Sequence, residues 1–297
     1  MKTFRIALAL CLAAGTAAAQ HTQVVVLGTG TPNADPDRSG PAVAIVTNGQ
    51  AYLVDAGPGI VRRAAAAARE GVPALSMPGL DIVFLTHLHS DHTLGLPDLM
   101  LSPWVLDRTA PLRVYGPPGT ADMVRFIDSA YTEDIHLRLA GGEPSNKTGW
   151  RSVVHEIRDT GVVYRDSNVT VRAFRVHHGA WEYAYGYRFE TPDRVIVVSG
   201  DTRPTDAVVN ACHGCDVLVH EVYDAERLKQ RSPAWQAYYH RYHTSTYELG
   251  DLAARAKPKL LLLVHQLYSG GTDEDLVRQI GTRFSGRVVS AHDLGIY

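Results

Sequence analysis

Three observations predict an α/β fold. Short apolar strands lead and helices follow, polar residues gather just past the strand ends, and no long linker divides the chain. The run Gln23-Val24-Val25-Val26-Leu27 reads as a strand that ends at Gly28-Thr29-Gly30-Thr31-Pro32. Residues 42–46 and 51–54 read as a hairpin around Asn48-Gly49, a strong two-residue turn signal. Asp55-Ala56-Gly57-Pro58-Gly59 is a polar turn, and the Ala-rich stretch 60–70 is a helix ending at Gly71. A strand over 82–85 leads into Thr86-His87-Leu88-His89-Ser90-Asp91-His92. A strand over 112–115, a helix over 120–131 and a loop over 143–149 follow, while 137–160 has no clear periodicity. The second half has strands over 169–176, 185–189, 195–199, 217–220 and 260–264, and helices over 205–211, 246–256 and 274–282.

The chain has 297 residues, 45% of them hydrophobic, which is ample for a sizeable core. Lys2 and Arg5 precede the apolar run 6–14, and Ala17-Ala18-Ala19 offers a cleavage site before Gln20. This is the pattern of a secretory signal peptide over 1–19, with a single domain over 20–297. The apolar run is shorter than the ~20 residues a membrane span needs, so the mature chain is expected without an anchor, in the periplasm or outside the cell. Without residues 1–19 the charged side chains number 27 basic against 31 acidic, a net charge of −4. Non-specific nucleic-acid binding rests on Lys and Arg neutralising phosphates, so this balance argues against a nucleic-acid partner. Cys212 and Cys215 have two readings of equal weight, a disulfide formed in an oxidising compartment or two small buried thiols.

Three imidazoles and a carboxylate within six residues at a strand end are costly to bury unless something compensates them. A divalent cation does so directly, because neutral imidazole and carboxylate are its ordinary ligands. Four later strands also end at metal-competent residues: His177-His178, Asp201, His220-Glu221 and His265. One such strand end is commonplace; the recurrence is not.

The motif THLHSDH followed by Gly95-Leu96 resembles the metallo-β-lactamase superfamily, while LGTGTP, LVDAGPG and SGDTRP at 199–204 resemble its ribonuclease Z and type III arylsulfatase-like branch. The resemblance spans about the whole mature chain and implies a four-layer αββα sandwich, with two mixed sheets flanked by helices. It implies a binuclear site in which His87, His89 and His178 hold one metal, Asp91, His92 and His265 hold the other, and Asp201 bridges them. His178 is preferred to His177 by its position before Gly179 and the later Gly186-Tyr187-Arg188. Two zinc ions are the default, with manganese or iron as alternatives. Catalytic roles fall to His243 in His243-Thr244-Ser245-Thr246, to Glu221 as its hydrogen-bond partner, and to Asp91. His243 is placed to donate a proton to the leaving oxygen, and Asp55 to orient a ligand histidine. A plainer reading makes His243 a helix-start residue beside an N-cap. His21, His136, His155, His213 and His240 read as surface or packing residues, and His292 stays open.

Only 22 residues separate His178 from Asp201, which leaves no room for the extended arm of a tRNA-processing ribonuclease. The loop Asp37-Arg38-Ser39-Gly40 also lacks the branch's Arg-Asn pair. Trp181, Tyr183 and Tyr185, then Trp235, Tyr238, Tyr239 and Tyr242, then Tyr268, lie near the implied ligands and suit a pocket for a small, partly apolar ester. The leading expectation is therefore an exported binuclear hydrolase of a small phosphodiester or sulfate ester, with a homodimer suggested by the branch. The alternatives are a lactonase or thioesterase, a ribonuclease Z-like RNA endonuclease, and a non-catalytic metal-binding module.

Overall fold

The computed structural model describes residues 22–297; the expected signal peptide over 1–19 and His21 lie outside the described residues. The first half contains β1 (Gln23–Gly28), β2 (Ala42–Thr47), β3 (Gln50–Val54), β4 (Ile82–Phe84), β5 (Leu112–Gly116) and β6 (Ser152–Glu156). Between them run α1 (Ile60–Arg69), α2 (Ser90–Thr93), α3 (Leu96–Val105), α4 (Thr120–Ala130) and α5 (Thr132–Ala140). The second half contains β7 (Gly161–Arg165), β8 (Thr170–Arg175), β9 (Tyr185–Glu190), β10 (Val195–Val198), β11 (Val217–Tyr223), β12 (Leu260–Leu267) and β13 (Arg287–Ser290). Its helices are α6 (Asp206–Cys212), α7 (Ala225–Leu228), α8 (Pro233–Tyr242), α9 (Thr246–Ala256) and α10 (Asp273–Gly281).

β1 to β6 form one sheet in sequence order, and β13 to β7 form the other in reverse order. Both are mixed. β1, β2 and β3 pair antiparallel, then β3 to β6 run parallel. In the second sheet β7 to β10 pair antiparallel, and β10 to β13 run parallel.

The near-continuous apolar runs follow from burial of both sheet faces. Side chains alternate across a strand. Val24 and Val26 point into the layer between the sheets, against Val171, Phe189 and Ile196 of the opposite sheet. Val25 and Leu27 point the other way, to a core shared with Ile60 of α1 and Leu99 of α3. The second sheet does the same, with Val197 and Leu261 packing outward on Leu249 of α9 and Ile280 of α10. The result is helix, sheet, sheet, helix, as expected. The β2–β3 turn has φ of 50° at Asn48 and 76° at Gly49, the left-handed pair that a two-residue hairpin requires.

The stretch without periodicity, 137–160, holds the end of α5 and β6. Helices α3 and α8 and strands β7 and β13 also go beyond the sequence reading. Cys212 and Cys215 form a disulfide at the end of α6, which decides between the two readings of that pair. Among the described residues no helix is long and apolar enough to cross a membrane.

Candidate active site

β4 carries the chain to the carboxyl edge of the first sheet, where Leu85 still donates its N–H to the Tyr115 carbonyl at 2.7 Å. The chain then breaks away. Asp55, just past β3, accepts the Thr86 N–H at 2.7 Å and holds His92 Nδ1 at 2.8 Å. Asp55 therefore orients a histidine, as the sequence suggested. His87 and His89 precede α2, whose single turn presents Asp91 and His92.

The second sheet supplies the rest. His178 follows β8 and is held by its Nδ1 on the Tyr242 carbonyl at 2.8 Å. Gly179, at φ 58°, lets the Tyr242 ring approach so closely that a Cβ there would sit 1.8 Å from it. Asp201 follows β10 after Gly200, at φ 61°, where a Cβ would meet Thr86 Cβ at 2.9 Å. That close approach brings the two strand-end loops together. His265 sits in β12 at a register shift: Glu221 faces Val264, Val222 faces Gln266, and His265 is left over. At φ 46° it is the extra residue of a bulge, and bulges re-aim side chains.

The seven expected ligands converge. His87 Nε2 lies 2.9 Å from His89 Nδ1, and His178 Nε2 lies 3.1 Å from the same atom. His265 Nε2 is 3.2 Å from Asp91 Oδ2 and 3.4 Å from Asp201 Oδ2. His92 Nε2 is 3.5 Å from Asp201 Oδ1. The donors fall into three overlapping groups, His87/His89/His178/Asp201, Asp91/His92/His265 and Asp201/His243/His265, each with its atoms within 4.8 Å of one another. Asp201 belongs to two of them, which suits a bridge. His177 does not join; its side chain is exposed, and its carbonyl accepts the Arg203 N–H at 2.9 Å. His292 is also exposed.

Charge and burial suit this donor set to divalent cations. Burial, helped by neighbouring imidazoles, holds His87 well below its ordinary pKa, and it lowers His178 to about 3. Such rings keep a lone pair for coordination. Burial works against charge on His92 too, yet Asp201 and Asp55 outweigh it and raise its pKa. His92 Nε2 is buried without a hydrogen-bond partner, between two carboxylates. Buried polar atoms are rarely left so, and a cation resolves it.

His243 ends α8, and Ser245 caps α9 with a reciprocal Ser245–Glu248 box. The plain helix-start reading thus holds for Ser245, while His243 itself is buried with its ring 5.8 Å from that of His265. Glu221 Oε1 lies 3.3 Å from His243 Nδ1. That nitrogen nevertheless makes no hydrogen bond, and the carboxylate takes the Thr202 and Thr244 N–H groups at 3.2 and 3.0 Å instead. Glu221 thus ties the SGDTRP turn to the HTST turn. The expected gain in imidazole basicity is absent, because burial lowers His243 to about 4 against the nearby carboxylates.

Sequence reasoning missed two positions at the site. The Trp181 indole donates to His89 Nε2 at 2.8 Å, and the Tyr242 carbonyl orients His178. Both residues were read only as pocket aromatics. Tyr185 is buried on the Ile157 carbonyl, and Tyr268 binds Asp273, so neither lines the cleft. Trp235, Tyr238 and Tyr239 do line it, in a cavity of about 560 Å³ that also exposes His89, Asp91, Asp201, His243 and His265.

A Beta-lactamase superfamily domain model matches residues 50–266. The chain belongs to the metallo-β-lactamase superfamily. A protein named Ribonuclease Z from Mycobacterium bovis is 35% identical over 277 residues, covering 92% of this chain and 96% of that one. The metallo-β-lactamase fold protein YhfI from Bacillus subtilis matches with a TM-score of 0.70 at 18% identity, over 93% of this chain and 98% of that one. Human tRNase Z, short form, matches with a TM-score of 0.68 at 23% identity over the same shares. The chain is a metal-dependent hydrolase of ester bonds, as expected.

Two expectations are overturned. A small phosphodiester or sulfate ester as substrate, and the exclusion of nucleic acid, both give way to relatives named for ribonuclease activity and matched over nearly their whole length. The physical fault lies in reading a partner from net charge. A net charge of −4 is an average over the chain, whereas a substrate meets the local field of a cleft, and bound cations dominate that field. The span from His178 to Asp201 is the short β9–β10 hairpin, as read, but that does not exclude RNA.

Proposed function

We propose that this chain is an RNA endonuclease of ribonuclease Z type. The observation that carries it is the convergence of three overlapping donor groups on one cavity shared with His243. The names of its relatives supply the substrate class. His87, His89 and His178 would hold one zinc ion, Asp91, His92 and His265 the other, with Asp201 between them. Manganese or iron would also suit the carboxylate oxygens. Bound there, such ions would supply a nucleophilic water at neutral pH and positive charge to offset the charge that builds on the phosphate.

The chain's own residues do the rest. Asp55 fixes the His92 ring, and the Tyr242 carbonyl fixes His178. His243, on the cavity wall and neutral at neutral pH, would offer a ring N–H as a hydrogen bond to the oxygen leaving phosphorus as the P–O bond breaks, and water in the cleft supplies the proton that oxygen takes up. Glu221 holds the His243 turn through the Thr244 N–H. Export is supported by the pattern at 1–19 and by the Cys212–Cys215 disulfide, and periplasmic or culture-fluid fractions are where the protein is then sought.

The test is cleavage of a 3′-extended tRNA and of unstructured RNA by purified, metal-analysed protein. Cleavage that chelator abolishes, that zinc restores, and that His243→Ala slows at least about 100-fold is the expected result. Inertness of fully loaded protein toward both RNAs sinks the reading.

A further inference from the structure

The cavity has a second wall that phosphodiester hydrolysis itself does not use. Arg231, Trp235, Tyr238 and Tyr239, from α8 and the turn before it, face the donor groups across about 560 Å³. That volume suits one small ligand. Trp235 is 47% exposed and Tyr238 37%, an unusual outlay of aromatic surface beside a buried polar centre. Their rings stand at 88° with centroids 5.6 Å apart, so they form a corner. The corner is anchored to the site. Tyr238 stacks on Tyr242 at 4.5 Å, and the Tyr242 carbonyl holds His178. The Arg231 guanidinium lies 5.5 Å over the Trp235 ring, and among the described residues no carboxylate pairs with it.

We propose that Trp235 and Tyr238 receive the nucleobase adjacent to the scissile phosphate, with Arg231 supplying positive charge beside it. This rests on the RNA reading above and deepens it. A flat base stacks on one ring while its edge meets the other, and aromatic stacking tolerates every base because each has a π face. Such a corner takes an unpaired, unstacked base, since a paired one keeps its faces inside the helix. The substrate segment is therefore single-stranded at this position.

The test is calorimetric binding of uridine 5′-monophosphate against ribose 5-phosphate, the same phosphate without a base. Wild-type protein is expected to prefer the nucleotide roughly tenfold. Trp235→Ala and Tyr238→Ala should erase most of that preference, and Trp235→Phe should keep it, with melting temperatures confirming that each variant is folded. Equal affinities in the wild type, or an unchanged preference in both alanine variants, overturn the proposal. RNA cleavage measured in parallel separates the two ideas. Cleavage without base preference sinks the corner alone, while base preference without cleavage sinks the nuclease and with it the placement beside a scissile phosphate, leaving only a base-binding corner.

Discussion

Asp55 decides which nitrogen of His92 is left to face Asp91 and Asp201. Its Oδ1 takes the Thr86 N–H, and its Oδ2 takes His92 Nδ1 at 2.8 Å, so the free lone pair falls on Nε2. Asp55→Asn keeps the shape and reverses this. The amide oxygen stays on Thr86, its NH2 faces Nδ1, and the proton of a neutral His92 moves to Nε2, where a cation should bind. Partners of this kind are worth about 10–100-fold in metal affinity. That loss, read by chelator competition, is the expected outcome, and wild-type affinity would remove Asp55 from the site. The candidate ligands were legible because close spacing in His87-Leu88-His89 and Asp91-His92 survives folding almost unchanged. Trp181 was not legible as a partner of His89, since that contact depends on how the loop after β8 closes over a different sheet.

At the scale of elements, what the sequence disclosed follows burial. Strands buried on both faces, such as β1 and β12, read plainly as apolar runs. β6 and β7 have no fully buried residue, and β6 carries Ser152, His155 and Glu156, so no such run marks them. α8 buries only Tyr239 among its residues, which hides its periodicity and leaves its aromatics on the cavity. The bulge at His265 was invisible for another reason: a ladder slip is a property of two strands, β11 and β12, and not of either alone. One element depends on a residue the sequence reading passed over. Arg108, fully buried after α3, donates to the carbonyls of Leu80, Leu99, Met100 and Gly149 at 2.6–2.9 Å. Burial lowers its pKa to about 10, so it remains charged at neutral pH. Lysine has one compact ammonium and cannot span four carbonyls set for a planar fork. Arg108→Lys is expected to cost about 3 kcal/mol in urea unfolding, from buried acceptors left without donors. A loss under about 1 kcal/mol would mean the α3 end is held by something else.

Across the whole molecule, the donor set is divided between the two sheets. His87, His89, Asp91 and His92 come from the first, while His178, Asp201 and His265 come from the second. The sheets already meet through Phe84, whose ring lies 5.5 Å from that of Tyr187 and 5.6 Å from that of Phe189. Cations would add a second fastening, at the rim, where Asp91 and Asp201 otherwise bring two buried carboxylates toward the same His265 nitrogen. A ligand that binds only the folded chain stabilises it by mass action, about 4 kcal/mol at a thousandfold excess over Kd. For a domain of this size that is a rise of roughly 10 °C in melting temperature. Zinc in such excess, against chelator-treated protein, should therefore produce a rise of that order and a single melting transition in both states. Because both halves hold donors, Asp201→Ala in the second sheet and His87→Ala in the first should each remove most of the rise. If either variant kept all of it, the metal would be held by one sheet alone, and the two halves would not share a site.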